Sequence, residues 1–174
     1  MKIDFGSGHN PRPGYLTCDP FYERTDVAYD VVSYHIDVPD GSVDIIHCRN
    51  VLHHVRDLDR LFNEFFRVLR PNGYIMVVEP RRASFKANVM LDQLWYRFLT
   101  PRPEVWFAKR YRDYTAIAKK HGFYLRKYRM RKEKEISVLT RNPNRSSSNE
   151  RPSSKRTGRE GLRLRSSRRY QRRS

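Results

Sequence analysis

Short runs of apolar residues separated by polar turns fill the chain up to residue 140 and nearly disappear after it. Residues 2–5 (KIDF) and 15–18 (YLTC) have strand length, as does 27–29 (VAY), with Asp30 at its tip. Residues 31–38 fit no single period. Pro39-Asp40-Gly41-Ser42 has turn composition. The run 43–48 (VDIIHC) is apolar and rich in β-branched residues, which predicts a central buried strand. Asp57 is placed to cap a helix. Behind it Leu58, Leu61, Phe62, Phe65, Phe66 and Leu69 recur at three- and four-residue steps, one face of a helix. Pro71-Asn72-Gly73 is expected to stop that helix, and 74–78 (YIMVV) predicts a second buried strand ending at Glu79-Pro80. Near-continuous apolar strands are those covered on both faces, so the pattern predicts a parallel sheet between helical layers.

Residues 81–111 break the pattern. Basic residues alternate there with Phe85, Trp95, Tyr96, Phe98, Trp106 and Phe107. An amphipathic helix is expected over 86–99, broken by Pro101 and Pro103. The segment reads either as a lid whose aromatics fill its own core, or as a surface that stacks bases and pairs phosphates. Residues 112–121 predict a further helix, stopped by Gly122. Two closing strands, 123–128 and 136–140, follow around a charged turn and would be antiparallel.

The chemistry concentrates at the start. The first strand runs directly into Gly6-Ser7-Gly8, and the second ends in Asp19. Glycine lets backbone approach a ligand with no side chain in the way. An acid at the tip of the next strand can accept hydrogen bonds from ribose hydroxyls. Gly6, Gly8 and Asp19 therefore read as a nucleoside cradle, with a plain turn between two strands as the alternative.

Composition changes the picture at the other end. The formal net charge is +17. Residues 141–174 hold 12 basic against 2 acidic residues, over half of that excess, and their only larger apolar residues are Leu162, Leu164 and Tyr170. Such a segment cannot bury enough surface to offset its ordering entropy, so a disordered tail is expected. An Arg-rich arm favours polyanions through counterion release. Nucleic acid is the first partner expected of it, an anionic membrane surface the second, and a merely solubilising tail the alternative. Cys18 and Cys48 lack metal-binding or disulfide-framework spacing, which points to a reducing, cytoplasmic setting. No apolar run reaches the roughly 18 residues of a membrane span. The N-terminus does not read as a signal peptide.

From Lys2 to about Thr140 the chain resembles a class I S-adenosylmethionine-dependent methyltransferase, type 11-like, in its compact branch. Ile3-Asp4-Phe5-Gly6-Ser7-Gly8 is similar to the family's first motif. Gly14-Tyr15 and Asp19 match the second strand and its ribose-binding acid. Pro39-Asp40-Gly41-Ser42-Val43-Asp44 matches the segment before the fourth strand, and Val51-Leu52-His53-His54-Val55 the one after it. Leu69-Arg70-Pro71-Asn72-Gly73-Tyr74 matches the turn into the fifth strand, and His121-Gly122-Phe123 the entry to the sixth.

The resemblance implies a Rossmann-like α/β fold with a seven-stranded sheet, order 3-2-1-4-5-7-6, strand 7 antiparallel, occupying residues 1–140. It implies S-adenosylmethionine as cofactor and methyl transfer to an acceptor, small molecule or nucleic acid. Gly6 and Gly8 would border the cofactor's amino-acid part, Asp19 its ribose, and Asp30 its adenine, with Asp37 a rival. Asn50 and His53 would face the methyl group, His53 as a base, with Glu79 a further candidate; a solvated or structural histidine is the alternative. His9, His53 and His54 make no recognisable metal set. Methyl transfer is an in-line displacement at an activated methyl, so alignment can supply most of the rate and no fixed catalytic residue is required. Two departures stand out: the spacing from Gly8 to Leu16 is too short for the usual first helix, and Pro11 lies near where a third glycine is usual. The chain also starts at the first strand, so no N-terminal capping helix is expected. These departures support the alternative of a non-catalytic module of the same fold that binds nucleic acid through its tail.

Overall fold

The computed structural model describes residues 1–19, 25–81, 90 and 112–142. In chain order the strands are β1 (Lys2–Phe5), β2 (Leu16–Cys18), β3 (Tyr29–Asp30), β4 (His35–Ile36), β5 (Val43–Arg49), β6 (Leu69–Pro80), β7 (Phe123–Arg131) and β8 (Lys134–Arg141). Helices α1 (Leu58–Val68) and α2 (Tyr114–Lys120) accompany them. Six strands form one sheet in the order β2-β1-β5-β6-β8-β7. The pairs β2–β1, β1–β5 and β5–β6 are parallel, and β8 runs against both its neighbours. This is a Rossmann-like mixed sheet whose last hairpin reverses one strand.

The third strand differs from expectation. Tyr29 and Asp30 pair with Ile36 and His35 in a separate antiparallel ribbon. The cause lies at Asp26. Its carboxylate accepts both the backbone N–H and the hydroxyl of Thr17, each at 2.8 Å, occupying the outer edge of β2 where a neighbouring strand would bond. One ladder bond survives beside it, Val27 N–H to the Thr17 carbonyl at 3.0 Å.

Helix α1 follows its sequence pattern. Asp57 caps it, accepting the Arg60 N–H at 3.0 Å. Leu58, Leu61, Phe62, Phe65, Phe66 and Val68 are its buried residues. They lie against the sheet face that carries Ile3, Phe5, Ile46, Ile75 and Leu139, all at most 1% exposed. Phe65 meets Phe5 edge-on at 5.2 Å, and Phe62 meets Phe123 at 6.0 Å. The far side of α1 holds the ribbon: Glu64 accepts the Ile36 N–H, and Arg67 donates to the Ile36 and Val38 carbonyls.

Pro71-Asn72-Gly73 is a bulge inside a strand, not a turn ahead of one. Val43 faces Leu69, yet Ile45 faces Tyr74, so β6 carries extra residues at this point. Gly73 sits where a Cβ would lie 2.8 Å from Leu69 Cδ2 and 3.1 Å from two backbone carbonyls, so only glycine fits. The closing strands run past their expected ends, because the 131–134 turn lets the hairpin ladder continue to Arg131 and Lys134. Arg141 belongs to β8: its guanidinium covers the Phe66 ring at 4.1 Å and donates to the Leu69 carbonyl. The helix expected over 86–99 and the segment from residue 143 onward lie outside the described residues. No described helix is long and apolar enough to cross a membrane.

Candidate nucleoside-binding site

In open α/β sheets ligands sit beyond the carboxyl ends of strands, where the strand order reverses. Here β1 connects to β2 on one side, while β5 joins on the other. The crevice therefore opens above β1 and β5, and four segments reach it: the loop after β1, the end of β2, the loop after β5 and the tip of β6.

The loop after β1 is stitched to β2. Gly6 N–H donates to the Cys18 carbonyl at 2.8 Å, and Gly8 N–H donates to Asp19 Oδ2 at 2.8 Å. Both glycines are left-handed, with φ of +74° and +53°. They differ in surroundings. A Cβ at Gly6 would lie 2.3 Å from Val51 Cγ2, so this glycine lets the β5 loop close on β1. Nothing lies within 4 Å of the Cβ position at Gly8, so this one faces open space. Asp19 is 7% exposed. Residues 6–15 contain no helix, in line with the short spacing read from the sequence.

The loop after β5 is held from β6. Glu79, 1% exposed, accepts the Val51 and Leu52 N–H groups on Oε1 at 2.9 and 2.8 Å. Its Oε2 lies 2.7 Å from His53 Nδ1. An ionised carboxylate only accepts, so Nδ1 carries the proton. Leu52–His54 is a single helical turn closed over this carboxylate. His53 is fully buried, so in this arrangement it positions the loop and does not reach solvent. Asn50 precedes it, exposed and left-handed at φ +53°, its N–H on the Val78 carbonyl at 3.0 Å.

The structure thus brings Gly6, Gly8, Asp19, Asn50 and Val51 to one crevice. It places Asp30 differently. Asp30 caps its own turn, accepting from the Val32 N–H at 2.8 Å and the Ser33 hydroxyl at 2.6 Å. The Ser33 hydroxyl first, then the Val32 amide, hold its carboxyl below the usual range. Asp37, the rival, is exposed, with its N–H on the Ala28 carbonyl at 3.0 Å.

The roles of two buried groups were not read from the sequence. Glu79 was read from its place at a strand tip as a further candidate beside the methyl group; its grip on the β5 loop depends on the β5–β6 pairing. The second is a pair below the glycine loop. Asp4 and His47 face each other across β1 and β5, with His47 Nδ1 2.6 Å from Asp4 Oδ1. Asp4 Oδ2 accepts the Arg12 N–H at 2.8 Å. Burial acts to raise Asp4, but these two hydrogen bonds, with the His47 and Arg49 charges, outweigh it and hold the carboxyl below its usual value. Polar residues at alternate positions of two apolar strands were the only signal, and the register that joins them is not written locally. Cys18 and Cys48 are fully buried beside these groups. Burial, then the neighbouring Asp19 charge, pushes the Cys18 thiol up to about 12. Burial, then Glu79 and Asp4, raises Cys48 as well.

The sheet order and its parallel core define a Rossmann-like domain. A family model described as a methyltransferase domain matches residues 4–128. A probable S-adenosylmethionine-dependent methyltransferase of Mycolicibacterium smegmatis is 36% identical over 64 residues, 37% of this chain and 24% of that one. A probable polyketide synthase of Dictyostelium discoideum is 30% identical over 92 residues, 49% of this chain and 3% of that one. The chain therefore spans a quarter or less of the length of these curated relatives. An S-adenosylmethionine-dependent methyltransferase from Mesorhizobium loti superposes with a TM-score of 0.58 at 14% identity, covering 81% of this chain and 90% of that one. Another, from Aquifex aeolicus, gives 0.54 at 14% identity, covering 80% of each chain. The chain belongs to the methyltransferase-domain family and has the fold of class I S-adenosylmethionine-dependent methyltransferases. S-adenosylmethionine is the cofactor that membership implies.

Proposed function

We propose that the chain holds S-adenosylmethionine in the crevice above β1 and β5 and delivers its methyl group to an acceptor by in-line displacement. The observation that supports this most is the hydrogen bond from the Gly8 N–H to the Asp19 carboxylate. It sets an acid and an unobstructed glycine side by side at the carboxyl ends of β1 and β2. Asp19 takes the ribose, Gly6 and Gly8 border the amino-acid part, and Asn50 stands on the loop facing the methyl group. Asp30 takes the adenine only after leaving its turn with Ser33, so its contribution to affinity is the smaller one. His53 acts through Glu79 by fixing the loop. The reaction then rests on alignment, which methyl transfer from a sulfonium permits.

The acceptor we favour is a nucleic acid or a nucleic-acid-bound target. The support is the charge of residues 141–174 and of β7, where Arg126, Lys127, Arg129 and Arg131 are all exposed. Residues 1–140 would be the catalytic unit and 141–174 a polyanion-binding arm. A chain ending at Asn142, which keeps all of β8, is expected to bind single-stranded RNA more weakly and with a shallower dependence on salt. Unchanged affinity and salt slope remove the arm from this account.

Calorimetric titration with S-adenosylmethionine and S-adenosylhomocysteine tests the cofactor reading. Both are expected to bind saturably. Asp19→Ala is expected to weaken both by about 10- to 100-fold, the worth of about 1.5–3 kcal/mol for hydrogen bonds to a charged group. Equal affinity in the variant would move the ribose site elsewhere. No binding by the wild-type chain would favour the second reading, a non-catalytic module of this fold that holds nucleic acid. The absence of a helix over residues 6–15 supports that reading.

A further inference from the structure

We propose that the cavity beneath the glycine loop binds an oxyanion of the phosphate class. The cavity measures about 370 Å³; Pro11, Pro13 and Val78 form its walls, and Arg12, His47 and Arg49 bring the charge and hydrogen-bonding groups. It lies on the sheet face opposite α1, where residues 10–13 lie beside the Asp4–His47 row of the sheet.

Neither guanidinium pairs directly with a carboxylate among the described residues, though the Arg49 charge acts on Asp4. Arg49 donates from Nη2 to the Asn10 carbonyl at 3.2 Å. Arg12 packs over the Tyr15 ring at 5.1 Å, and its Nη1 lies 3.4 Å from His47 Nε2, near the long limit of a hydrogen bond. Asp4, the carboxylate below them, is already engaged by the His47 ring and the Arg12 amide. Two guanidiniums against one carboxylate leave the cluster one positive charge in excess. Both arginines are exposed, so an anion can enter without rearrangement. His47 is the built part: its side chain is 4% exposed, and its Nδ1 proton is committed to Asp4.

That leaves Nε2 as the ring atom aimed at Arg12. An anion lodged between Arg12 and Arg49 takes charge-assisted hydrogen bonds from both. Arg12 on the loop after β1 and Arg49 at the end of β5 bring two guanidinium forks to one point, which suits a tetrahedral anion better than a planar carboxylate. The inference rests on this cavity and not on the methyl-transfer reading.

The test is an NMR titration of the full chain, with histidine ring nitrogens labelled, against inorganic phosphate at constant ionic strength. Saturable binding in the millimolar range is expected, on the order of 4 kcal/mol, with the His47 Nε2 resonance moving as Arg12 turns from the ring to the anion. Chloride at matched ionic strength should not reproduce it. The double variant Arg12→Ala/Arg49→Ala should lose phosphate binding by at least about tenfold. A His47 resonance indifferent to phosphate in the wild-type chain overturns the proposal without any variant. S-adenosylmethionine titrated into the same double variant should bind as in wild type. If its affinity falls with that for phosphate, the cavity belongs to the cofactor's carboxylate and the proposal is wrong. A nucleoside 5′-monophosphate and a short single-stranded RNA lacking terminal phosphates then separate the sources. Loss of RNA binding in the double variant assigns the site to a nucleic-acid backbone. Loss confined to the monophosphate assigns it to a small phosphorylated ligand.

Discussion

Glu79→Ala is expected to lower the free energy of unfolding by about 3–5 kcal/mol and to abolish cofactor binding with it. Three donors converge on this one carboxylate: the Val51 and Leu52 amides and the His53 ring. Alanine removes the acceptor from all three at a site that is 1% exposed, where water does not replace it. The turn at Leu52–His54 then loses the carboxylate of β6 that fastens it above the sheet. Glu79→Gln separates charge from shape. Its carbonyl still accepts from both amides, while its amide meets His53 Nδ1, which must become the acceptor. A smaller loss of about 1–2 kcal/mol is expected. Urea unfolding of the three proteins, followed by titration with S-adenosylmethionine, gives both readouts. An alanine variant within about 1 kcal/mol of wild type would mean the loop is held by other contacts.

Gly6→Ala is the second large effect. The added Cβ would lie 2.3 Å from Val51 Cγ2 and 2.4 Å from Val51 Cβ, and the backbone there is left-handed at φ +74°. Left-handed backbone costs about 1–2 kcal/mol for a residue with a Cβ. Overpacking against a stiff β-branched side chain adds about 1–3 kcal/mol. A total loss of about 2–5 kcal/mol is expected, with the β1 and β5 loops forced apart and the crevice deformed. Gly6→Ala/Val51→Gly should recover the steric part and leave the backbone part. Gly8→Ala is the control, since it meets open space and should cost only the backbone part while still intruding on a bound ligand. Thermal or urea unfolding of the set checks the partition. If Gly6→Ala is no more costly than Gly8→Ala, the close approach of Val51 is not a constraint in solution.

These two experiments address groups that differ in how visible they were. Gly6 is legible because a glycine directly after a buried strand, with an acid at the tip of the next, reads as a cradle or a tight turn, whereas the approach of Val51 appears only in the fold. Helix α1 is legible for a local reason too. Its period, its Asp57 cap and its apolar face lie within twelve consecutive residues, and no distant contact is needed to interpret them. The parallel core strands follow from their continuous apolar runs, because burial on both faces leaves little room for alternation.

What the chain by itself determined was therefore the parallel core strands, helices α1 and α2, the closing hairpin, and the glycine loop and acid that follow the first two strands. The tertiary structure decided everything that depends on register. Asp26 displaces the third strand by occupying the edge of β2 at Thr17, a competition between a side chain and a ladder that no hydrophobic pattern records. Glu79 reaches the β5 loop because Arg49 pairs with Val78 at the ends of β5 and β6. Asp4 meets His47 because their strands align at that row, 43 residues apart in the chain. A buried polar group has to find a partner, but the sequence does not say which one. The partner is set by strand order and register, and these are fixed by the packing of the whole sheet.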